Sequence, residues 1–185
     1  MTTIREPRLG VDFGRVIHGG AGPDGRQDTV FLDGDLDQAL ESPATEGAFE
    51  VLPLLTRRFE GRVWIISKCG PAVERKTRLW LDRHAFWERT GVPAGHLRFC
   101  RRRADKAVHC ADLGITHMID DRLDVHAAIR EVVPNRYLFG PQGRPPPGWV
   151  TPTLTWADVA TAVTADLASP GHDEDAAARA GRGVC

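Results

Sequence analysis

Arg8-Leu9-Gly10-Val11-Asp12-Phe13-Gly14-Arg15-Val16-Ile17 is the stretch whose reading decides the fold. A short apolar run delivers Asp12 into a turn marked by Gly14, and the apolar pair Val16-Ile17 follows. A buried parallel strand places a carboxylate at its carboxyl end in this way, and open α/β sheets keep their chemistry at those ends. Three further pieces follow in order. Ser67 comes after the apolar run Val63-Trp64-Ile65-Ile66, then Lys106, then the acidic pair Asp120-Asp121 after the run Thr116–Ile119.

Around these pieces, strand and helix patterns alternate. Leu9–Phe13 reads as the first strand, and the glycine-rich stretch from His18 to Asp28 as a loop or flap over its end. Val30–Leu32 reads as a short strand within that flap. Thr45–Phe59 has a helical period with Thr45 as N-cap, and Val63–Ile66 reads as a strand buried on both faces. Pro71–Arg89 reads as one helix and Leu97–Phe99 as a strand. Asp105–Leu113 reads as a helix stopped by Gly114, and Thr116–Ile119 as a strand. Asp124–Val132 reads as a helix, Arg136–Phe139 as a strand, and Gly140–Gly148 as an extended proline-rich loop. A final helix, Thr155–Leu167, is capped by Thr155. The alternation predicts an α/β fold, a three-layer sandwich on a mostly parallel sheet. Residues 1–168 are expected to form one domain without a large cap domain, and 169–185 a disordered tail without an apolar face.

The chain has 185 residues, 42% of them hydrophobic, which suits one ordinary domain. A net charge of -1 calls for neither nucleic acid nor an anionic membrane as partner. No apolar stretch reaches the length of a membrane span. The amino-terminal residues lack the apolar segment of a secretory signal, and the four cysteines show no CxxC spacing. Reduced thiols and a cytoplasmic location are therefore expected.

Asp12, Ser67, Lys106 and Asp120-Asp121 all fall at strand or helix ends predicted on one side of the sheet. A strand-end carboxylate is a candidate nucleophile toward phosphorus. Further carboxylates beside it would repel it unless a cation sits among them, and magnesium suits oxygen ligands of this kind. A serine hydroxyl and a lysine ammonium can hold the non-reacting phosphoryl oxygens.

The ordered set resembles the haloacid dehalogenase-like superfamily of hydrolases. Val11-Asp12-Phe13-Gly14-Arg15-Val16-Ile17 is similar to its first motif, Ser67 after a strand to its second, Lys106 to its third, and Met118-Ile119-Asp120-Asp121 to its fourth. The run from Lys106 to Arg122 looks most like the 5'-nucleotidase-type branch, without a cap. The resemblance implies a Rossmann-like sheet and a magnesium-dependent phosphatase working through an aspartyl-phosphate. Asp12 would be nucleophile and metal ligand. Asp121, Asp120 and the backbone carbonyl of Gly14 would complete the metal site. Ser67 and the Lys68 amide would bind phosphate, and Lys106 would offset charge on Asp12 and the phosphate. The substrate would be a phosphorylated small molecule, with a nucleotide favoured.

The sequence departs from that pattern at Gly14, where most phosphatases of the superfamily carry an aspartate that protonates the leaving group. Arg15 replaces the usual Gly or Asn, to pair with phosphate or to plug the site, and His18 is a candidate substitute acid. The alternative reading is a non-catalytic relative that binds a phosphorylated ligand or a protein partner. A third keeps the nucleophile but attacks a carbon–halogen bond, which needs no magnesium and leaves the acidic pair unexplained. Blander roles compete at single positions. Asp120-Asp121 could cap the next helix, and Arg101–Lys106 could be a solvated basic face, too poor in aromatics for RNA. His84, His109, His117 and the tryptophans read as packing residues, and Cys69 as an inert buried thiol.

Overall fold

The computed structural model describes residues 6–19, 31 and 35–169. Six strands form one sheet in the order β3-β2-β1-β4-β5-β6, with every neighbouring pair parallel. They are β1 (Leu9–Val11), β2 (Val63–Lys68), β3 (Leu97–Cys100), β4 (His117–Asp120), β5 (Asn135–Phe139) and β6 (Thr151–Thr153). This is the order of a doubly wound sheet, whose switch point lies between β1 and β4. Asp12 leaves β1 there and Asp120 ends β4, and the register puts Val11 opposite Ile119.

Seven helices cover the two faces among the described residues: α1 (Leu36–Glu41), α2 (Ala48–Arg58), α3 (Pro71–Arg83), α4 (Phe86–Thr90), α5 (Lys106–Leu113), α6 (Leu123–Ala128) and α7 (Trp156–Ala168). Alternation along the strands splits the core in two. Leu9, Val11, Val63, Ile65 and Ile119 pack with the buried faces of α2, α3, α4 and α7. Trp64, Ile66 and Met118 pack on the opposite face with Cys110 of α5 and Val125 of α6. Both faces of the sheet are thus apolar, as an all-parallel sheet requires. The predicted three-layer α/β sandwich is the architecture observed.

Gly10 lies on the second face at the middle of the sheet. A Cβ built there would fall 2.6 Å from Met118 Sδ and 3.3 Å from Ile66 Cδ1. The glycine in the opening motif is therefore a packing requirement of β1 against β2 and β4.

Some predicted elements change. Pro71–Arg89 is two helices, broken at His84 and at Ala85, which adopts a left-handed φ of 48°. Trp80 and Phe86 are both fully buried in the same cluster. Six residues along one straight helix would point them about 120° apart, so the chain turns between them. The helix predicted over Asp124–Val132 stops at Ala128. The helix predicted from Thr45 starts at Ala48. Two elements were not foreseen. α1 opens with a capping box between Asp35 and Gln38, a signal present in the sequence. β6 is an edge strand of three residues containing Pro152, too short for any period and tolerant of proline only because it is at the edge. Phe31, the one described residue of the predicted Val30–Leu32 strand, is helical. The rest of that strand, most of the flap and the tail beyond Ser169 lie outside the described residues. No helix among the described residues is long and apolar enough to cross a membrane.

Substituting Gly10→Ala is expected to lower unfolding stability by about 1–3 kcal/mol, the range for overpacking a close-packed core, as read by urea denaturation. An unchanged midpoint would mean that Met118 and Ile66 yield freely.

Candidate functional site

β1 and β4 end side by side, and α5 begins above them on the second face. Lys106, the first residue of α5, sends its ammonium down between the two strand ends. It donates to Asp12 Oδ1 at 2.5 Å and to Asp120 Oδ2 at 2.6 Å. All three groups are buried, with Asp120 fully enclosed. The other oxygen of Asp120 accepts the backbone N–H of Arg122 at 2.9 Å, and its carbonyl accepts from His126 Nε2 at 3.0 Å. Asp120 thus serves both readings of the acidic pair. It turns the chain into α6 and it holds Lys106.

Asp121, the residue just after β4, lines the open cleft. It approaches Asp12, and carboxylate oxygens of Asp12, Asp120 and Asp121 lie within 4.8 Å of one another. Arg15 forms a salt bridge with Asp121. Arg15 does so from a left-handed backbone, φ 62°, a conformation that costs a side-chain-bearing residue about 1–3 kcal/mol. The turn is closed by Ile17 N and His18 N, which both donate to the Phe13 carbonyl, and by Arg15 N, which donates to the His18 carbonyl.

Three carboxylates face two cations here, and the shortage of positive charge shows in their titration. Burial raises the Asp12 carboxyl to about 7, with Lys106 opposing the rise and Asp120 and Asp121 adding to it. Burial and the Asp120 charge raise Asp121 to about 6, with Arg15 opposing. Burial works against the Lys106 ammonium, yet the Asp12 and Asp120 charges prevail and raise it above the usual lysine range. The donor set is hard oxygen, with one more carboxylate than the two cations paired directly with it, and it fits a magnesium-sized cation. Asp12 and Asp121 are the carboxylates with capacity to offer. Both oxygens of Asp120 already accept hydrogen bonds, which makes it a support for Lys106 and the turn.

The cluster opens into a cleft of about 330 Å³, lined by Asp12, Ser67, Lys68, Gly70, Thr77, Lys106 and Asp121 among others. Ser67 is buried and ends the same run as Lys68, the last residue of β2. Every residue singled out from the sequence, Asp12, Gly14, Ser67, Lys68, Lys106 and Asp121, lines this one cleft, while Asp120 lies behind Lys106. Five cationic side chains, Arg15, Lys68, Arg103, Lys106 and Arg122, line it against the carboxylates of Asp12 and Asp121. Thr77, whose hydroxyl is buried without a partner, also lines it, and no sequence signal marked that residue.

The basic run Arg101–Lys106 is therefore a solvated face only in its first part. Arg101 donates to the Cys69 carbonyl, Arg102 pairs with Asp105, and Lys106 turns inward. His18 lines the cleft but stacks on Phe13 and meets Phe31 at a tilt, with Nε2 at 2.6 Å from Ser42 Oγ. A ring so placed is first of all a packing residue. His84 stacks on Trp80, and His117 lies between Phe59 and Tyr137. Burial pushes the Cys69 thiol up to about 11, consistent with an inert group.

No known protein family and no curated protein matches this chain. Among solved structures, it is similar to a Burkholderia xenovorans LB400 protein described as a haloacid dehalogenase-like hydrolase, at 17% identity and a TM-score of 0.51. The match covers 77% of this chain and 65% of the other, so the chain spans just under two thirds of that protein. At this identity the likeness is one of fold: an α/β Rossmann-like sheet shared with a protein of that description.

Replacing Lys106→Met is expected to destabilise the protein by roughly 3–5 kcal/mol at neutral pH, because it leaves two buried carboxylates without their cation. The loss should shrink as pH falls and Asp12, already raised, takes up a proton. Urea midpoints at pH 5 and pH 8 read both effects.

Proposed function

We propose that this protein is a hydrolase of phosphate monoesters, of the haloacid dehalogenase-like kind, with Asp12 as nucleophile. The observation that supports it most is the Lys106 bridge, which fixes one Asp12 oxygen by an ammonium 2.5 Å away at the floor of a cation-lined cleft. Lys106 aims Asp12 and favours its ionised form, opposing the rise that burial imposes. The dianionic phosphoryl group of a substrate would be held by the Ser67 hydroxyl and by Lys68 and Lys106. Positive charge placed where negative charge develops is the main catalytic device available to phosphoryl transfer.

In the first step the free Asp12 oxygen attacks phosphorus, the bond from phosphorus to the ester oxygen breaks, and an aspartyl-phosphate forms. The departing alkoxide takes a proton from water. In the second step water attacks that phosphorus, the acyl-phosphate bond breaks, and inorganic phosphate leaves with Asp12 regenerated. Magnesium, when bound by Asp12, Asp121 and the Gly14 carbonyl, would offset carboxylate charge and polarise a phosphoryl oxygen. Arg15 would then have to share or surrender Asp121.

Gly14 supplies no acid for the leaving group. Its position is sterically open: a Cβ built there meets no atom within 4 Å. The absent carboxylate is thus not forced out by packing. The placement near the capless nucleotidase-type branch is part of this proposal. It rests on the Lys106–Arg122 motif run and on the two helices, α3 and α4, that alone join β2 to β3. The second reading, a non-catalytic binder of phosphorylated ligands, draws its support from Arg15, whose guanidinium sits on Asp121.

Hydrolysis of p-nitrophenyl phosphate is expected to need magnesium and to vanish in Asp12→Asn while the thermal midpoint survives. Retained turnover in that variant would sink the proposal. Gly14→Asp is expected to raise turnover of esters with poor leaving groups by up to about 100-fold, the lower range for general acid catalysis. Arg15→Gly removes a cation from Asp121 and relieves the left-handed backbone. It is expected to bind manganese about tenfold more tightly by electron paramagnetic resonance, equivalent to about 1.4 kcal/mol. Equal or weaker affinity would show that Arg15 does not contend for the carboxylates.

A further inference from the structure

The phosphate cleft does not end at Asp121. It shares Arg15, Gly19, Asp121 and Arg122 with a second, open groove of about 1030 Å³. That groove runs past the carboxyl ends of β4 and β5 toward β6. Its walls are the segment Pro43–Gly47, the start of α6, the loop after β5 and the start of α7. The cleft, at about 330 Å³, sits at the small end of the size range of ligand sites and the groove, at about 1030 Å³, at its large end.

Charge and polarity are distributed unevenly between the two. Lys68, Arg103 and Lys106 line only the cleft, and Arg15 and Arg122 stand at the junction. Beyond the junction no further cation lines the groove among the described residues, and the ionisable residues described there are Glu46 and Asp124. The amino terminus of α7, which could otherwise attract an anion, is closed by the capping box of Thr155 and Asp158. Leu123 and Leu154 line the groove with 39% and 64% of their surface exposed, two of the five large apolar side chains exposed among the described residues. Phe139 and Trp156 lie buried behind this wall.

We propose that this groove is the leaving-group subsite. It takes the alcohol part of a phosphate monoester whose phosphoryl group lies in the cleft, and that alcohol is bulky, uncharged and has a flat apolar face. The proposal rests on the hydrolase reading and adds the class of substrate. The acidic residues beyond the junction disfavour a second phosphate there, and the leucines are exposed where an apolar ring would cover them. Leu154 carries most of this selectivity because it is the more exposed of the two leucines.

The test separates the groove from the reaction. Asp12→Asn protein is titrated with 1-naphthyl phosphate and, separately, with inorganic phosphate, with and without Leu154→Asp. Leu154 is exposed, so the fold is expected to tolerate the change, and the thermal midpoint checks this. The ester is expected to bind more tightly than phosphate. Leu154→Asp should weaken the ester about tenfold, the scale of one lost apolar contact surface, and leave phosphate unchanged. Equal effects on both ligands, no effect on either, or an ester that binds no better than phosphate would each overturn the subsite. In the protein with Asp12 intact, kcat/KM for 1-naphthyl phosphate should fall by a similar factor through KM, with acetyl phosphate unaffected. Absence of all turnover would count against the hydrolase reading alone, since the binding comparison decides the groove by itself.

Discussion

Everything at the centre of this molecule depends on one buried ammonium between two carboxylates. Lys106 closes the gap between the ends of β1 and β4, the switch point of the sheet. Three charges cannot be enclosed there unless each is paired at hydrogen-bond distance, because removing any one leaves another stranded in a poorly polarisable interior. The remaining lone pairs of Asp120 are spent on Arg122 N and so on the turn into α6. The bridge therefore does more than aim Asp12. It ties the start of α5 to the ends of β1 and β4, and it leaves Asp121 to the cleft.

That last consequence shapes the site. Asp120 and Asp121 are adjacent, yet one is engaged by Lys106 and the other lines the open cleft. The cluster is left with more negative than positive charge, and burial makes the imbalance costly. Arg15 answers part of it at the expense of a strained backbone. A divalent cation would answer the rest. Among the described residues, cations crowd the cleft and none lines the adjoining groove beyond Arg15 and Arg122, which makes the two ends of the cavity chemically distinct.

The likeness in fold to a haloacid dehalogenase-like hydrolase agrees with this geometry without extending it. At 17% identity the chain shares the doubly wound frame and its switch point, where such folds place their ligands. What the site does follows from Asp12, Lys106 and the acidic pair, and those are read from this chain.

Much of this was visible in the residues themselves. The apolar runs at Leu9, Val63 and Met118 set buried parallel strands because runs of that length without polar alternation need cover on both faces. Asp12, Ser67 and Asp120-Asp121 fell at strand ends because each directly follows such a run. The break at Ala85 was not visible, since the apolar period continues through it and only the shared burial of Trp80 and Phe86 requires the turn. β6 was hidden because three edge residues carry no period. Lys106 was singled out by its place in the ordered set, but its basic neighbours equally allowed a solvated run, and packing of α5 over the second face is what turns it inward. The sequence by itself determined the strands, their order of chemistry and the residue types at their ends, because those follow from local patterning. Tertiary structure alone decided that Asp120 supports while Asp121 faces the cleft, that Arg15 lies on Asp121, and that a groove opens beside them. Each of those depends on distances between segments far apart in the chain, which no local pattern encodes.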